Sequence, residues 1–166
     1  LSEAEFIARI EADQGIVRKL VLLYARDEAE RQDLMQESLL NAWRAWPAFR
    51  GEAKFSTWLY RICLNTILTQ RRRDRPVDRV PDLERVAPQF DERHVNDDRE
   101  RLYTAIRTLP ETDRALVGLH LEGFTNQEAG EVLGISANHF AVKLHRIKQR
   151  LSELLRAYLG SFEEDY

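Results

Sequence analysis

The chain has 166 residues, 43% of them hydrophobic, and a formal charge of −3, which is enough for one ordinary domain or two small ones. No apolar run approaches the ~20 residues that span a bilayer and no signal-peptide pattern precedes the first helix, so a cytoplasmic protein without membrane contact of its own is expected. The single cysteine, Cys63, sits among Leu59, Ile62 and Ile67 at helical spacing, which excludes an intrachain disulfide and a cysteine-rich metal site and marks it as a core residue.

Ser2 and Glu5 have the spacing of a capping box, and Phe6, Ile7, Ile10, Ile16, Val17, Leu20, Val21 and Tyr24 then recur at helical period. After a break near Asp27, Leu34, Met35, Leu39, Trp43 and Trp46 repeat at spacings of three and four until Pro47 ends the pattern. A short loop, FRGEAK, follows. Ser56 or Thr57 is then expected to cap a helix that turns Trp58, Leu59, Ile62, Cys63 and Ile67 inward and runs out in RRRDR. From Pro76 to about Asn96, Pro76, Pro81 and Pro88 stand among charged residues with no sustained apolar period, which is linker composition. Helical periodicity resumes over Leu102, Ala105, Ile106 and Leu109, stops at Pro110, and returns over Leu116, Val117, Leu119 and Leu121 before Gly123. The expected fold is all-α: two small helical domains, residues 1–75 and 97–166, joined by a flexible linker over 76–96, with no internal repeat and no strand alternation.

The stretch from Thr125 to Arg150 reads as a helix-turn-helix. Thr125 and Glu128 form a second capping-box pair, so a helix begins at Asn126; Gly134 suits a left-handed cap and Ser136 an N-cap, leaving room only for a tight corner. In the second helix Phe140, Leu144, Ile147 and Leu151 have the spacing for burial. Asn138, His139, Lys143, His145, Arg146, Lys148 and Arg150 offer hydrogen-bond donors on the other faces, with no carboxylate among them. A solvated basic face is the competing reading of a charge run alone, but the capping box, the Gly-Ile-Ser corner and the missing acids together favour a recognition helix that enters a major groove. Net acidity is odd for a protein that binds DNA unaided, because neutralised phosphates supply most non-specific affinity. Another component is expected to provide it.

Two blocks, ERQDLMQESLLNAWRAWPAFRGEAKFSTWLYRICLN from Glu30 to Asn65 and LPETDRALVGLHLEGFTNQEAGEVLGIS from Leu109 to Ser136, resemble regions 2 and 4 of extracytoplasmic-function sigma factors in order and spacing. The resemblance implies a protein that binds core RNA polymerase, reads the −35 promoter element with its C-terminal domain, and recognises and melts the −10 element with its N-terminal one. Polymerase would then supply the missing electrostatics. The resemblance further implies an anti-sigma factor that holds the free chain inactive, often by wedging between the two domains. Catalytic residues, cofactors and an obligate homo-oligomer are not expected.

The same resemblance assigns roles. On the helix with DLMQE, Asp33, Leu34, Gln36, Glu37 and Asn41 would grip the polymerase clamp. In the following loop and helix, Arg50, Lys54, Ser56 and Thr57 would touch the −10 strand. Phe49 and Trp58 are candidates for stacking on bases, with core packing as the alternative for Trp58. Arg61 and Asn65, one turn apart, suit the upstream edge of the element, and Arg71, Arg72 and Arg73 would hold phosphate. In the recognition helix Asn138, His139, Lys143, His145 and Arg146 would meet bases or phosphates. Ala141 and Val142 replace a basic residue and a hydroxyl common at those positions, so contact with thymine methyls is expected there. Two other classes compete: a stand-alone helix-turn-helix regulator, for which no dimerisation segment is evident, and an enzyme, for which His94, His120, His139 and His145 show no metal-ligand spacing.

Overall fold

The computed structural model describes residues 2–74 and 98–160, among which every regular element is a helix. Helix α1 (Glu3–Leu22) starts at a reciprocal capping box: the Glu5 backbone N–H donates to Ser2 Oγ at 3.2 Å and the Ser2 N–H donates to Glu5 Oε2 at 2.8 Å. Helix α2 (Glu28–Ala45) is capped by Asp27, whose Oδ1 accepts from the Glu30 N–H at 2.8 Å, and passes into a 3-10 turn, Trp46–Ala48, that contains Pro47. These starts and stops follow from local side-chain chemistry and fall where the sequence places them.

Helix α3 (Phe55–Arg73) does not begin on a hydroxyl. Lys54 is its N-cap, without a side-chain cap bond, and Ser56 and Thr57 lie inside the first turn. Tertiary packing sets this start. Phe55 is buried in an aromatic cluster with Trp46 (ring centroids 5.9 Å apart), Phe49 (5.8 Å) and Trp58 (5.3 Å), and that anchor replaces the cap.

The buried stripe of α2 also differs from the apolar pattern. Leu34, Ser38 and Ala42 are fully buried, and the two small residues suit the close packing of α2 on α3; Met35 is only partly covered, and Trp43 and Leu40 remain about 40% exposed. In α3, Leu59, Cys63 and Ile67 are buried as their period predicts. So are Tyr60 and Leu64, which form a second stripe. Burial pushes the Cys63 thiol up to about 12, so it is an inert core group.

The C-terminal half comprises α4 (Asp98–Arg107), α5 (Glu111–Leu121), α6 (Asn126–Leu133) and α7 (Ala137–Gly160), with α7 packed against the other three. Thr125 Oγ1 accepts from the Glu128 N–H at 3.1 Å and Glu128 Oε2 accepts from the Thr125 N–H at 2.9 Å, completing the second capping box. Gly134 closes α6 in the left-handed region (φ 71°), and Ser136 caps α7 by accepting from the His139 N–H at 3.1 Å. The corner is tight enough that a Cβ on Gly130 would lie 2.5 Å from the Ile135 carbonyl oxygen. The proposed linker 76–96 and the FEEDY tail lie outside the described residues.

Candidate nucleic-acid interface

Helix α7 buries Phe140, Leu144, Ile147 and Leu151, and this stripe turns Asn138, His139, Val142, His145 and Arg146 outward together. Val142, 45% exposed, sits at the centre of that face among polar neighbours. Ala141 and Lys143 are half-buried at its margins. The face can therefore donate hydrogen bonds at its edges and offer an apolar contact in the middle.

In the N-terminal half, the loop between Phe49 and Phe55 is pinned at both ends by rings. Phe49 stacks on Trp46 (5.5 Å, 15° between planes) and meets Trp58 at 5.0 Å, while the Arg9 guanidinium lies 5.6–5.8 Å from the rings of Trp46, Phe49 and Phe55. The cluster is a platform for the loop rather than a surface for bases. This corrects the stacking expectation for Phe49, which is 8% exposed with neighbouring rings packed against it. It likewise corrects Thr57, which is 1% exposed and reaches no surface from which a strand could be touched. Trp58 is half-buried in the same cluster, in keeping with its packing alternative. Arg50 and Lys54 project from the loop, Ser56 is half-buried, and Arg61 and Asn65 are exposed one turn apart on α3.

A groove of about 890 Å³ runs between α2 and α3, lined by Asp33, Gln36, Glu37, Leu40, Asn41 and Arg44 on one wall and Asn65, Thr69, Gln70 and Arg73 on the other. Two residue sets assigned to different partners thus share one concavity, acidic toward α2 and basic toward the end of α3. Asn41 helps build it: its Nδ2 donates to Thr66 Oγ1 at 3.1 Å and its Oδ1 accepts from Arg44 at 3.4 Å. Leu34 is 0% exposed, so it packs the bundle and cannot meet polymerase, a correction to its expected role.

The two halves are in direct contact, and several of the expected DNA-binding side chains are engaged there. Lys54 Nζ is 2.7 Å from Glu128 Oε1, and Arg61 Nη2 donates to the Glu131 carbonyl at 2.9 Å; both partners belong to α6. Arg71 is drawn into a hub, with Nε donating to Glu111 at 3.1 Å and Nη1 donating to Glu30 at 3.2 Å and to the Tyr24 carbonyl. In this arrangement it is not available to phosphate, whereas Arg72 and Arg73 are exposed.

The end of α1 explains the hub. Leu22, Leu23 and Tyr24 carry carbonyls that a helix terminus leaves without partners, and no glycine follows to close the helix. Three arginines cap it: Arg71 bonds the Tyr24 carbonyl, and from the C-terminal half Arg107 donates to Leu22 at 3.0 Å and Arg114 to Leu23 at 3.3 Å. Burial, with Arg71 nearby, lowers the pKa of Arg114, while Tyr24 donates its hydroxyl to the Glu111 carbonyl at 2.7 Å. The positive hub thus bonds mainly to backbone oxygens and to Glu30 and Glu111.

Residues 10–77 match the Sigma-70 region 2 family model and residues 99–151 match the Sigma-70, region 4 model. The ECF RNA polymerase sigma factor SigM of Mycobacterium tuberculosis is 29% identical over 146 residues, covering 87% of this chain and 74% of that protein. The RNA polymerase sigma-E factor of Streptomyces coelicolor is 28% identical over 155 residues, covering 92% and 87%. Among solved structures, the sigma factor RpoE in complex with the anti-sigma factor NepR from Bartonella quintana matches with a TM-score of 0.71 at 19% identity, over 92% of this chain and 97% of that one. CnrH in complex with the cytosolic domain of CnrY matches with a TM-score of 0.68 at 22% identity, over 94% and 90%. The fold is shared with both of these solved structures.

Proposed function

This chain belongs to the sigma-70 family, in its extracytoplasmic-function branch, and from that premise we propose how its two domains divide the work of an RNA polymerase sigma factor. The C-terminal domain, residues 97–166, lays α7 in the major groove of the −35 element. The observation that carries this is the outward face of α7, where Asn138, His139, Val142, His145 and Arg146 are presented together on a helix without carboxylates from Ala137 to Arg150. Asn138 and Arg146 have the donor chemistry for adenine and guanine edges, and Val142 fits a thymine methyl.

The N-terminal domain, residues 1–75, meets core polymerase through the exposed row Asp33, Gln36 and Glu37, whose carboxylates suit a basic partner. It receives the −10 strand on Arg50, Lys54, Ser56, Arg61 and Asn65, with Arg72 and Arg73 on phosphate. Melting needs extruded bases to be held, since each lost stack costs roughly 1–3 kcal/mol. The rigid aromatic platform beneath the loop keeps the receiving groups in place for this. Initiation happens where polymerase works, in the cytoplasm. The two structural neighbours are sigma factors solved with anti-sigma factors, and an inhibitor of that class is proposed here as well.

Two variants separate the domains' tasks. Arg146→Ala should weaken promoter binding by about 1–3 kcal/mol while leaving affinity for core polymerase intact. Asp33→Arg should lose polymerase affinity first, with the −35 contact of α7 preserved. A wild-type footprint over the −35 element in Arg146→Ala would count against the assignment of α7.

A further inference from the structure

We propose that Arg9 of α1 is a further contact for the −10 strand, its guanidinium holding a backbone phosphate beside the loop between Phe49 and Phe55. The proposal rests on the reading of that loop as the place where the strand is received, and it brings in α1, an element otherwise outside the DNA-facing set. A cation set on the aromatic platform carries it. The Arg9 guanidinium lies 5.8 Å from the Trp46 ring, 5.8 Å from the Phe49 ring and 5.6 Å from the Phe55 ring. Phe49 precedes Arg50 and Phe55 follows Lys54, so the charge stands beside both ends of the loop.

The local sequence offers Arg9 a different fate. Glu5 and Asp13 lie one turn away on either side, at the spacing where helical ion pairs form. Neither pair is made. Glu5 spends Oε2 on the Ser2 N–H at 2.8 Å in the capping box, and Arg9 has no ion pair or hydrogen bond among the described residues. Its side chain packs on the rings instead and stays exposed. A guanidinium held by ring faces keeps its N–H donors unspent, because the attraction is between the charge and the ring quadrupole. Its planar fork is then ordered in advance for the two oxygens of a phosphate.

Other arginines of the N-terminal half show the contrast. Arg26 is paired with Glu30, Arg31 with Glu28, and Arg71 with Glu30 and Glu111, so their charge is used within the fold. Glu52, the one carboxylate of the loop, pairs with neither Arg9 nor Arg50. Two unneutralised cations from separate elements thus flank the loop. A phosphate held there adds affinity and fixes the path of the strand without selecting its bases.

The test uses the whole chain and a fluorescein-labelled single-stranded DNA of about 12 nucleotides with randomised sequence, followed by anisotropy from about 50 to 200 mM salt. Arg9→Gln should lower affinity roughly fivefold at about 0.1 M salt and reduce the slope of log K against log salt by about 0.7, the value for one phosphate of a single strand. Arg9→Lys keeps the charge without the fork, so it should restore the slope and only part of the affinity. Arg18→Gln makes the same charge change farther along α1 and should leave both values at wild type. A wild-type slope in Arg9→Gln, or an equal loss in Arg18→Gln, would overturn the phosphate contact. So would a loss of affinity that follows a lowered melting temperature with no change in slope, which would mean that Arg9 only braces the rings. Arg50→Gln separates this contact from the reading beneath it. A slope reduced in Arg50→Gln but not in Arg9→Gln removes Arg9 and keeps the loop, whereas wild-type slopes in both remove the loop as the strand's receiver and Arg9 with it.

Discussion

Glu128 takes part in two structures at once. Its carboxylate caps α6 through the Thr125 N–H and pairs with Lys54 across the domain seam, and the Lys54 bond, followed by the Thr125 N–H, holds its pKa below the ordinary 4.5. A depressed carboxylate stabilises the fold fully above its unfolded pKa, and the contribution is lost as pH falls through the lower folded value. Thermal unfolding of the wild type should therefore approach that of Glu128→Gln as pH drops below about 4.5 and exceed it at neutral pH. Parallel pH profiles for the two proteins would contradict this. The capping role was legible in the sequence, because Thr125 and Glu128 interact over one turn. The pairing with Lys54 was not, since the two lie on separate domains.

At the scale of elements, helix starts governed by local caps were readable and those governed by tertiary packing were not. The corner between α6 and α7 follows from Thr125, Gly134 and Ser136 alone. Helix α3, in contrast, starts at Phe55 because a ring cluster anchors it; that cluster removes Phe49 from the strand-contacting set, and burial removes Thr57. A single apolar period reveals one buried stripe. The second stripe of α3, Tyr60 and Leu64, was hidden because part of what covers it belongs to the other half of the chain, and Gly118 within LVGLHL was the one signal of that approach. The corner itself is sterically closed: Gly130→Ala places a Cβ against the Ile135 carbonyl, a backbone atom that cannot swing away. That variant should lose about 1–3 kcal/mol of stability and most duplex binding, measured by thermal unfolding and by anisotropy with double-stranded DNA. Wild-type values for both would contradict the packing of the corner.

Across the whole molecule, the acidic balance, the two reading surfaces and the seam between them fit one account. In the proposed account a chain of formal charge −3 keeps exposed basic side chains on α7 and around the start of α3, and relies on polymerase for the remaining attraction. The division into two helical domains was legible from the proline-marked gap in periodicity, and the family models match on either side of it. Their docking was not legible, because it depends on arginines reaching the carbonyls at the end of α1 and on one glycine in α5. Docked domains also bear on inhibition. An inhibitor that wedges between them would have to part a filled seam, whereas one that binds the outer α2–α3 groove would act on the docked form.

The most direct measurement is run-off transcription by bacterial core polymerase on a pool of genomic promoter fragments, with and without the chain. Discrete new start sites that require the chain, sharing sequence near −35 and −10 and lost with Asp33→Arg, are the predicted result. Absence of new starts, together with tight and specific duplex binding by the chain alone, would contradict the account and identify an ordinary helix-turn-helix regulator.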